Sequence, residues 1–154
     1  SKQYVETEKY IHLSVDSFPE NFNGWEYYFN LLMSQSRYEE LKNISLKALE
    51  YFPNHAIVYF FIGYSNYSIK NYNESINFLE IGLDYTSENL DLQKQFYLFL
   101  AESYHSVSND KKSEIKKIIK SINTLQSNPG PKGYIKLRGP ENFYRIRSGN
   151  TGTL

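Results

Sequence analysis

The chain has 154 residues, of which 40% are hydrophobic and 17% aromatic, a composition typical of one folded domain rather than a disordered chain. It contains no cysteine, which excludes disulfides, thiolate metal sites and a cysteine nucleophile, and no apolar run is long enough to cross a membrane. The formal net charge is zero because two segments cancel: residues 1–110 carry a net charge of −8 and residues 111–154 a net charge of +8. We expect a cytoplasmic, bacterial protein.

The predicted elements follow a period of 34 residues. Residues that recur at this interval are Pro19 and Pro53, Trp25 and Tyr59, Tyr28 and Ile62, Tyr38 and Tyr72, Ala48 and Gly82, Leu49 and Leu83, and Tyr51 and Tyr85. Apolar side chains at 3–4 spacing predict helices near 2–17, 22–35, 38–51, 55–69, 72–85, 91–107 and 111–126. Each complete unit is a helix, a short turn such as Lys70-Asn71, and a second helix. Gly63 and Gly82 stand where the helices must approach closely.

These units resemble the tetratricopeptide repeat (TPR) family over about residues 2–113. The resemblance is carried by Tyr59–Gly63, Tyr72–Ile76 and Gly82–Tyr85, and in the preceding unit by Trp25, Tyr38–Leu41, Ala48–Glu50 and Pro53. Ser75 and Leu41 depart from the family's usual alanine, and Phe29 from its usual glycine. The resemblance implies a mainly α fold, a TPR-like α-solenoid within residues 1–113. Its parts are a half repeat at 2–19 and repeats at about 22–53, 56–87 and from 92 through 113.

A different pattern begins at residue 114. Residues 114–127 predict a terminal amphipathic helix with an isoleucine face and a lysine face, and Asn128-Pro129-Gly130-Pro131 ends it. Alternating apolar and basic residues then predict a short β-hairpin at about 134–147, within a basic tail that spans residues 128–154.

Residues 119–149 resemble part of the RelE/ParE-type toxin family. The shared run includes Asn128-Pro129, Pro131, Gly133-Tyr134, Lys136-Leu137, Gly139, Tyr144–Arg147 and Gly149. RelE-like members cleave messenger RNA on the ribosome, and the resemblance implies RNA contact by matching or neighbouring positions, which are Lys136, Arg138, Arg145 and Arg147. However, Thr151 and Gly152 replace the family's aromatic-Arg pair, and the sequence offers neither its N-terminal elements nor its later strands. We therefore expect a toxin-like fragment without ribonuclease activity.

The repeats predict a concave groove lined by the first helix of each pair. We expect it to be formed by Asn23, Glu26, Asn30 and Met33, then Ile57, Phe60, Tyr64 and Tyr67, and then Gln95, Leu98, Glu102 and His105. Its polar, aromatic and mildly acidic character favours a peptide or helix with aliphatic and basic residues. Core positions are the competing interpretation of the aromatic residues, favoured for Tyr28, Tyr59, Phe61 and Tyr72 and evenly balanced for Tyr64 and Tyr67.

No pattern in the sequence predicts catalysis, a cofactor or a metal site. His12, His55 and His105 are far apart in the repeat register, and none has a second histidine at metal-ligand spacing. Glu39 and Glu40 form a carboxylate pair, but they begin a predicted helix, where acidic residues complement the helix dipole.

Three hypotheses follow from the sequence. The leading one is a protein–protein interaction scaffold that binds a partner peptide in the groove and performs no catalysis. The alternative is a toxin remnant that contacts RNA or the ribosome through the basic hairpin. In the third, the basic tail folds back on the acidic repeats and caps the end of the solenoid.

Overall fold

We describe a computed structural model of the chain, which is mainly helical. The structure describes residues 2–87, 89–107, 112–126, 135–136 and 144–145. Its helices are α1 Lys2–Ser17, α2 Phe22–Ser34, α3 Tyr38–Tyr51, α4 Ala56–Ser68, α5 Tyr72–Leu83, α6 Leu90–Val107 and α7 Lys112–Gln126. These bounds confirm the predicted helices to within two residues. None of the described helices combines the length and apolar character that a membrane span requires.

The 34-residue period recurs in the hydrogen bonds that end the first helix of a pair. At the end of α2, the backbone amides of Gln35, Ser36 and Arg37 donate hydrogen bonds to the backbone carbonyls of Leu31, Met33 and Leu32, respectively. The equivalent bonds occur 34 residues later, at the end of α4. There the backbone amides of Ile69, Lys70 and Asn71 donate to the backbone carbonyls of Ser65, Tyr67 and Asn66, respectively. Ser36 and Lys70 both adopt positive φ, at 57° and 67°, as this left-handed helix ending requires. The repeat is therefore a repeat of backbone geometry as well as of residue type.

A second recurring bond anchors each of these helices to the turn before it. The indole Nε1 of Trp25 donates to the carbonyl of Pro19 at 2.7 Å, and the hydroxyl of Tyr59 donates to that of Pro53 at 2.8 Å. The same two rings lie against tyrosines at or just after the end of the following helix, Trp25 against Tyr51 and Tyr59 against Tyr85. A large aromatic residue with a polar tip suits this position because it fills the helix interface and satisfies a turn carbonyl.

Each described helix packs mainly on its neighbours in the chain, and α4 also packs on α6. This sequential packing is consistent with a helical solenoid, in which each repeat contacts only the adjacent ones. The core runs through α4, of which 11 of 13 residues are buried. The large side chains packed there include Phe29 of α2, Phe61 of α4 and Phe96 of α6. Burial confirms the core positions expected for Tyr28, Tyr59 and Phe61, whereas Tyr72 is half-buried.

Glycine permits the closest helix contacts, as the sequence predicts. A Cβ atom on Gly82 of α5 would lie 2.5 Å from both Tyr59 Cβ and a ring carbon of Phe96. A Cβ atom on Gly63 of α4 would overlap the Leu79 side chain of α5 in the same way. These two glycines therefore set the spacing of α4, α5 and α6.

After α6, helix α7 packs with its isoleucine face toward the core. Ile118 is buried and Ile115 and Ile122 are half-buried, whereas Ile119 of the predicted face is 48% exposed. The lysine face is exposed. Beyond α7, two short strands, β1 Ile135–Lys136 and β2 Tyr144–Arg145, pair antiparallel, with Ile135 opposite Arg145. The rest of the tail from 127 to 154 lies outside the described residues, so the predicted hairpin at 134–147 stays a prediction.

Candidate interaction surface

The predicted groove residues on α2 and α6 are accessible, but most of those on α4 are not. Asn23, Leu98, Glu102 and His105 are exposed, and Glu26, Asn30, Met33, Tyr67 and Gln95 are half-buried. Ile57, Phe60 and Tyr64 retain only 2%, 5% and 3% of their accessible surface. The expectation that these three side chains line an open groove is therefore wrong, since they are buried in the core.

Helix α6 is the reason for this burial. Phe60 contacts Phe96 and Phe99 with ring centroids 5.6 and 5.8 Å apart, and Tyr64 contacts Phe99 at 5.1 Å. On its other side, Tyr64 meets Tyr38 of α3 edge to face. Edge-to-face contacts of this kind add to the stability gained from burying the rings. The aromatic residues of α4 therefore join the helices, and only Tyr67 offers appreciable surface to a ligand.

Asn30 places a polar group at the side of this surface. Its amide nitrogen donates to the carbonyl of Glu26 at 2.7 Å, which turns the side chain along α2. Its Oδ1 is buried and accepts no hydrogen bond in the described part of the chain. A buried carbonyl oxygen without a donor costs free energy.

A second polar group joins α1 to the next two helices. The Arg37 guanidinium lies 2.7 Å from a carboxylate oxygen of Glu8 and 2.6 Å from one of Glu40. The Tyr28 hydroxyl donates to Glu40 at 3.2 Å and shares a short hydrogen bond with Nε2 of His12. Because a hydroxyl has one proton, His12 donates to the tyrosine oxygen while Tyr28 donates to Glu40. We call these five residues the α1 polar cluster.

The contacts within the α1 polar cluster shift the pKa values of its members. The hydrogen bond from Arg37 holds the pKa of Glu8 below its ordinary value, and both carboxylates raise the pKa of Arg37. Burial, followed by the charge of Glu40, raises the pKa of Tyr28. The ion pair is therefore formed at neutral pH, and the tyrosine stays protonated as a donor.

Three residues of the cluster have metal-ligand chemistry. Ligand atoms of Glu8, His12 and Glu40 all lie within 4.8 Å of one another. However, the Arg37 guanidinium forms ion pairs with both carboxylates and already supplies the positive charge that a metal cation would bring. A metal would have to displace it, so the geometry fits a structural ion-pair network better than a metal centre.

Sequence reasoning missed this cluster because its residues come from three helices and a turn. One signal was present: Glu8, His12 and Asp16 follow at intervals of four, so they share one face of α1. Asp16 also connects α1 to α3, because its Oδ1 lies 3.0 Å from Nζ of Lys47. The arrangement can hold α1 in place, but the partners of these residues could not be read from their spacing.

The remaining histidines, carboxylates and RNA-contact residues considered in the sequence analysis form no common site in the described residues. The His55 ring stacks on Phe22 at 3.8 Å, and burial lowers its pKa, whereas His105 is exposed on α6. Glu39 and Glu40 lie in the first turn of α3, as expected from the helix dipole. Among the predicted RNA-contact residues, only the backbone of Lys136 and Arg145 is described. Arg138 and Arg147 lie outside the described residues.

Comparison with known proteins adds no family to this description. No family model matches the chain, and no curated protein matches it. The evidence for function in this chain is the repeat geometry and the exposed surfaces of its helices.

Proposed function

We propose that this chain is a protein-interaction scaffold of TPR-like repeats, which binds a peptide or helix of a partner protein on its concave face and performs no catalysis. The observation that supports the proposal is the repetition of the turn bonds and aromatic anchors at 34-residue intervals. Stacked repeats present one continuous face of their first helices to a ligand. The step from this architecture to binding is made by analogy with other repeat proteins.

The accessible residues of that face suggest the chemistry of the ligand. Helix α2 offers Glu26 and Asn30, and α6 offers Leu98 and Glu102, with Tyr67 of α4 between them. Two carboxylates and no lysine or arginine are among the twelve predicted groove residues, within a segment of net charge −8. Charge complementarity favours ligands with lysine or arginine, and Leu98 favours an aliphatic residue beside them.

A peptide-display selection on the full chain tests the proposal. We expect the selected peptides to be enriched in basic and aliphatic residues. Reversing the charge of Glu102 with Glu102→Lys should weaken their binding tenfold or more, because a like charge then faces the basic ligand. Isothermal titration with one selected peptide measures the change. Phe60→Ala and Tyr64→Ala are unsuitable variants because both side chains are buried and their loss would disturb folding.

The matched control is Glu50→Lys, which makes the same charge change at an exposed position on α3, a helix that contributes no residue to the predicted groove. It should alter the affinity by less than threefold at physiological salt, where distant charges are screened. Equal losses in the two variants would mean that net charge, and not the concave face, determines binding. If the selected peptides bind the Glu102→Lys variant with the same affinity as the unmodified chain, the proposal is wrong.

A second candidate function is contact with RNA or the ribosome through the basic tail, favoured by the net charge of +8 on residues 111–154. It predicts that RNA binding weakens steeply with salt, by about 0.7 logarithmic units per contacted phosphate for each tenfold rise in salt on a single strand. Deleting residues 128–154 should abolish this binding and leave peptide binding intact. RNA binding that is independent of salt or survives the deletion would rule the candidate out.

A further inference from the structure

The lysines of helices α3 and α6 each lie beside a carboxylate of the array. The pairs are Lys42 with Glu39 at 2.6 Å, Lys47 with Asp16 at 3.0 Å, and Lys94 with Asp91 at 3.7 Å. A lysine paired in this way adds little net charge to the surface, because the carboxylate cancels its field at a distance. These helices therefore present no excess of positive charge to a ligand.

Helix α7 differs because its lysines outnumber the carboxylates beside them. Lys117 lies 3.3 Å from Glu114 and its side chain is still 74% exposed. Lys116 and Lys120 are exposed, and neither forms an ion pair with a carboxylate of the described residues. Residues three or four positions apart on a helix have Cβ atoms about 5–6 Å apart, so the three lysines share one patch. We call Lys116, Lys117 and Lys120 the α7 lysine patch.

The sequence that follows α7 adds to this positive charge. Residues 127–154 contain five lysine and arginine residues and one acidic residue, Glu141, which gives a net charge of +4. This segment therefore supplies no excess of carboxylates for the α7 lysine patch. The charge of the patch is available to an anionic ligand.

Packing on α6 fixes the direction in which the patch points. Ile118 is buried, and Ile115 and Ile122 are half-buried against the core. The lysines lie on the exposed side of the same helix. Because the helix is already folded and held on α6, a ligand would not have to order the backbone that carries the patch.

We propose that the α7 lysine patch binds the phosphate backbone of a single-stranded nucleic acid. Lysine attracts phosphate as a point charge and reads no base edges, so the binding is independent of sequence and weakens with salt. A flexible single strand can bring several phosphates to a patch about one helical turn long. This site goes beyond peptide binding on the concave face and is separate from the basic tail of residues 128–154.

An anionic membrane is the other common partner of a lysine-rich amphipathic helix. Such a helix places its apolar face in the boundary of the bilayer, but the buried part of the apolar face of α7 is packed on α6. Ile119, at 48%, is the one exposed large apolar side chain among the described residues of α7. A single isoleucine adds little apolar area, so the arrangement favours a ligand that requires only positive charge.

The test measures binding of a fluorescein-labelled oligouridylate to the full chain by fluorescence anisotropy. At about 0.1 M salt, where the Debye length is about 10 Å, Lys116→Glu with Lys120→Glu should raise the Kd tenfold or more. The matched control is Lys9→Glu with Lys47→Glu, the same charge change at exposed lysines of α1 and α3, which should leave the Kd within threefold. Circular dichroism checks that both variants keep the helical content of the unmodified chain.

The salt dependence gives a second measurement. Each lysine–phosphate contact contributes about 0.7 to the slope of log Kd against log salt for a single strand. Lys116→Glu with Lys120→Glu should therefore lower the slope by about 1.4, whereas the control pair should leave it unchanged. Equal changes of Kd or slope in the two pairs would mean that net charge, and not the α7 lysine patch, determines binding.

Three further results would overturn the proposal. The first is failure of the full chain to bind oligouridylate at any salt concentration. The second is binding that is lost in Arg145→Glu with Arg147→Glu but kept in Lys116→Glu with Lys120→Glu, which would assign the nucleic acid to the basic tail. The third is binding to phosphatidylserine vesicles without binding to oligouridylate, especially if Ile119→Asn removes it, since the partner would then be a membrane surface.

Peptide binding on the concave face is measured separately and does not depend on this site. Peptides selected on the full chain should bind Lys116→Glu with Lys120→Glu as tightly as they bind the unmodified chain. Glu102→Lys should weaken peptide binding without weakening the binding of oligouridylate. Loss of oligouridylate binding in Glu102→Lys would overturn the assignment to α7.

Discussion

Helices α4 and α1 show how much a helix in this array gains from having neighbours on all sides. In α4, 11 of 13 residues are buried, and aromatic rings from α2, α3 and α6 surround it. Of residues 6–17 in α1, only Val15 is buried. Polar links to Tyr28, Arg37 and Lys47 hold the rest of α1 in place. The side chains of α4 are therefore stabilised mainly by apolar burial, and the described side chains of α1 mainly by ion pairs and hydrogen bonds.

This difference has consequences for stability and for apolar exposure. Burial is worth about 25 cal/mol per Å² of apolar surface, whereas a partly exposed ion pair contributes about 1 kcal/mol or less. The centre of the array should therefore unfold last, and α1 should separate first. The same lack of apolar cover leaves Tyr10 and Leu13 of α1 exposed, so low local stability and apolar exposure have one origin.

The largest expected effect comes from removing an aromatic ring of the central helix. Phe60→Ala should lower the free energy of unfolding by about 3–5 kcal/mol, because the buried ring leaves a cavity between α4 and α6. Leu13→Ala on α1 should change it by less than about 0.5 kcal/mol, since that side chain is 60% exposed. Urea denaturation measures both values. Similar losses for the two variants would show that the contrast between α4 and α1 is wrong.

A smaller effect is expected from adding one methyl group at a close helix contact. Gly82→Ala should destabilise the chain by about 1–3 kcal/mol, because the new Cβ atom would meet Tyr59 Cβ, part of the helix framework, and Phe96. Gly24→Ala is the matched variant at the α1–α2 contact. Its Cβ atom would lie 3.1 Å from Oγ of Ser14 and 3.3 Å from Cγ1 of buried Val15, so each neighbour would have to shift by only a few tenths of an ångström.

We therefore expect Gly24→Ala to shift the free energy of unfolding by less than about 1 kcal/mol in either direction, since alanine is the better helix former. Thermal and urea unfolding of the two variants give the comparison. A larger loss for Gly24→Ala than for Gly82→Ala would mean that the α1 end is packed as tightly as the centre.

The smallest expected effect is the acid sensitivity of α1. The folded state holds the pKa of Glu8 below that of the unfolded chain, so its contribution is present above the ordinary glutamate pKa of about 4.3. It is lost as the pH falls through the lowered folded value. Glu8→Gln should cost about 1 kcal/mol or less at pH 7 and nothing once Glu8 is protonated.

Urea unfolding of the wild-type chain and Glu8→Gln between pH 7 and pH 2 measures this difference. Glu50→Gln, at an exposed position on α3, is the control and should follow the wild-type curve throughout. A difference between wild type and Glu8→Gln that persists at pH 2 would show that the effect comes from packing rather than from the charge of Glu8.

The helices could be predicted because their signals are local. The 3–4 spacing of apolar residues, the Lys70-Asn71 turn and the small residues Gly63 and Gly82 all act within or between adjacent helices, and the structure agrees with each. The 34-residue offset then relates one helix pair to the next. A turn that is predicted in one pair therefore locates the equivalent turn in the next pair.

The candidate sites were harder to predict because they depend on separation in space. Helical projection puts Phe60 and Tyr64 on the concave side, but it cannot show that Phe99 of α6 covers them. It also cannot bring Arg37 to Glu8, which lies 29 positions earlier in the chain. Nor can it show that Tyr10 is exposed, because exposure depends on which helices lie over that side chain.

By itself, the sequence determined the helical class, the helix bounds, the repeat interval and the division of charge between an acidic array and a basic tail. These follow from residue spacing and composition, which act locally or add up along the chain. The tertiary structure decided which aromatic residues form the core and which polar residues pair, and it showed that the N-terminal helix exposes an apolar face. The reason is that burial depends on every helix packed around a residue, whereas residue spacing describes one helix at a time.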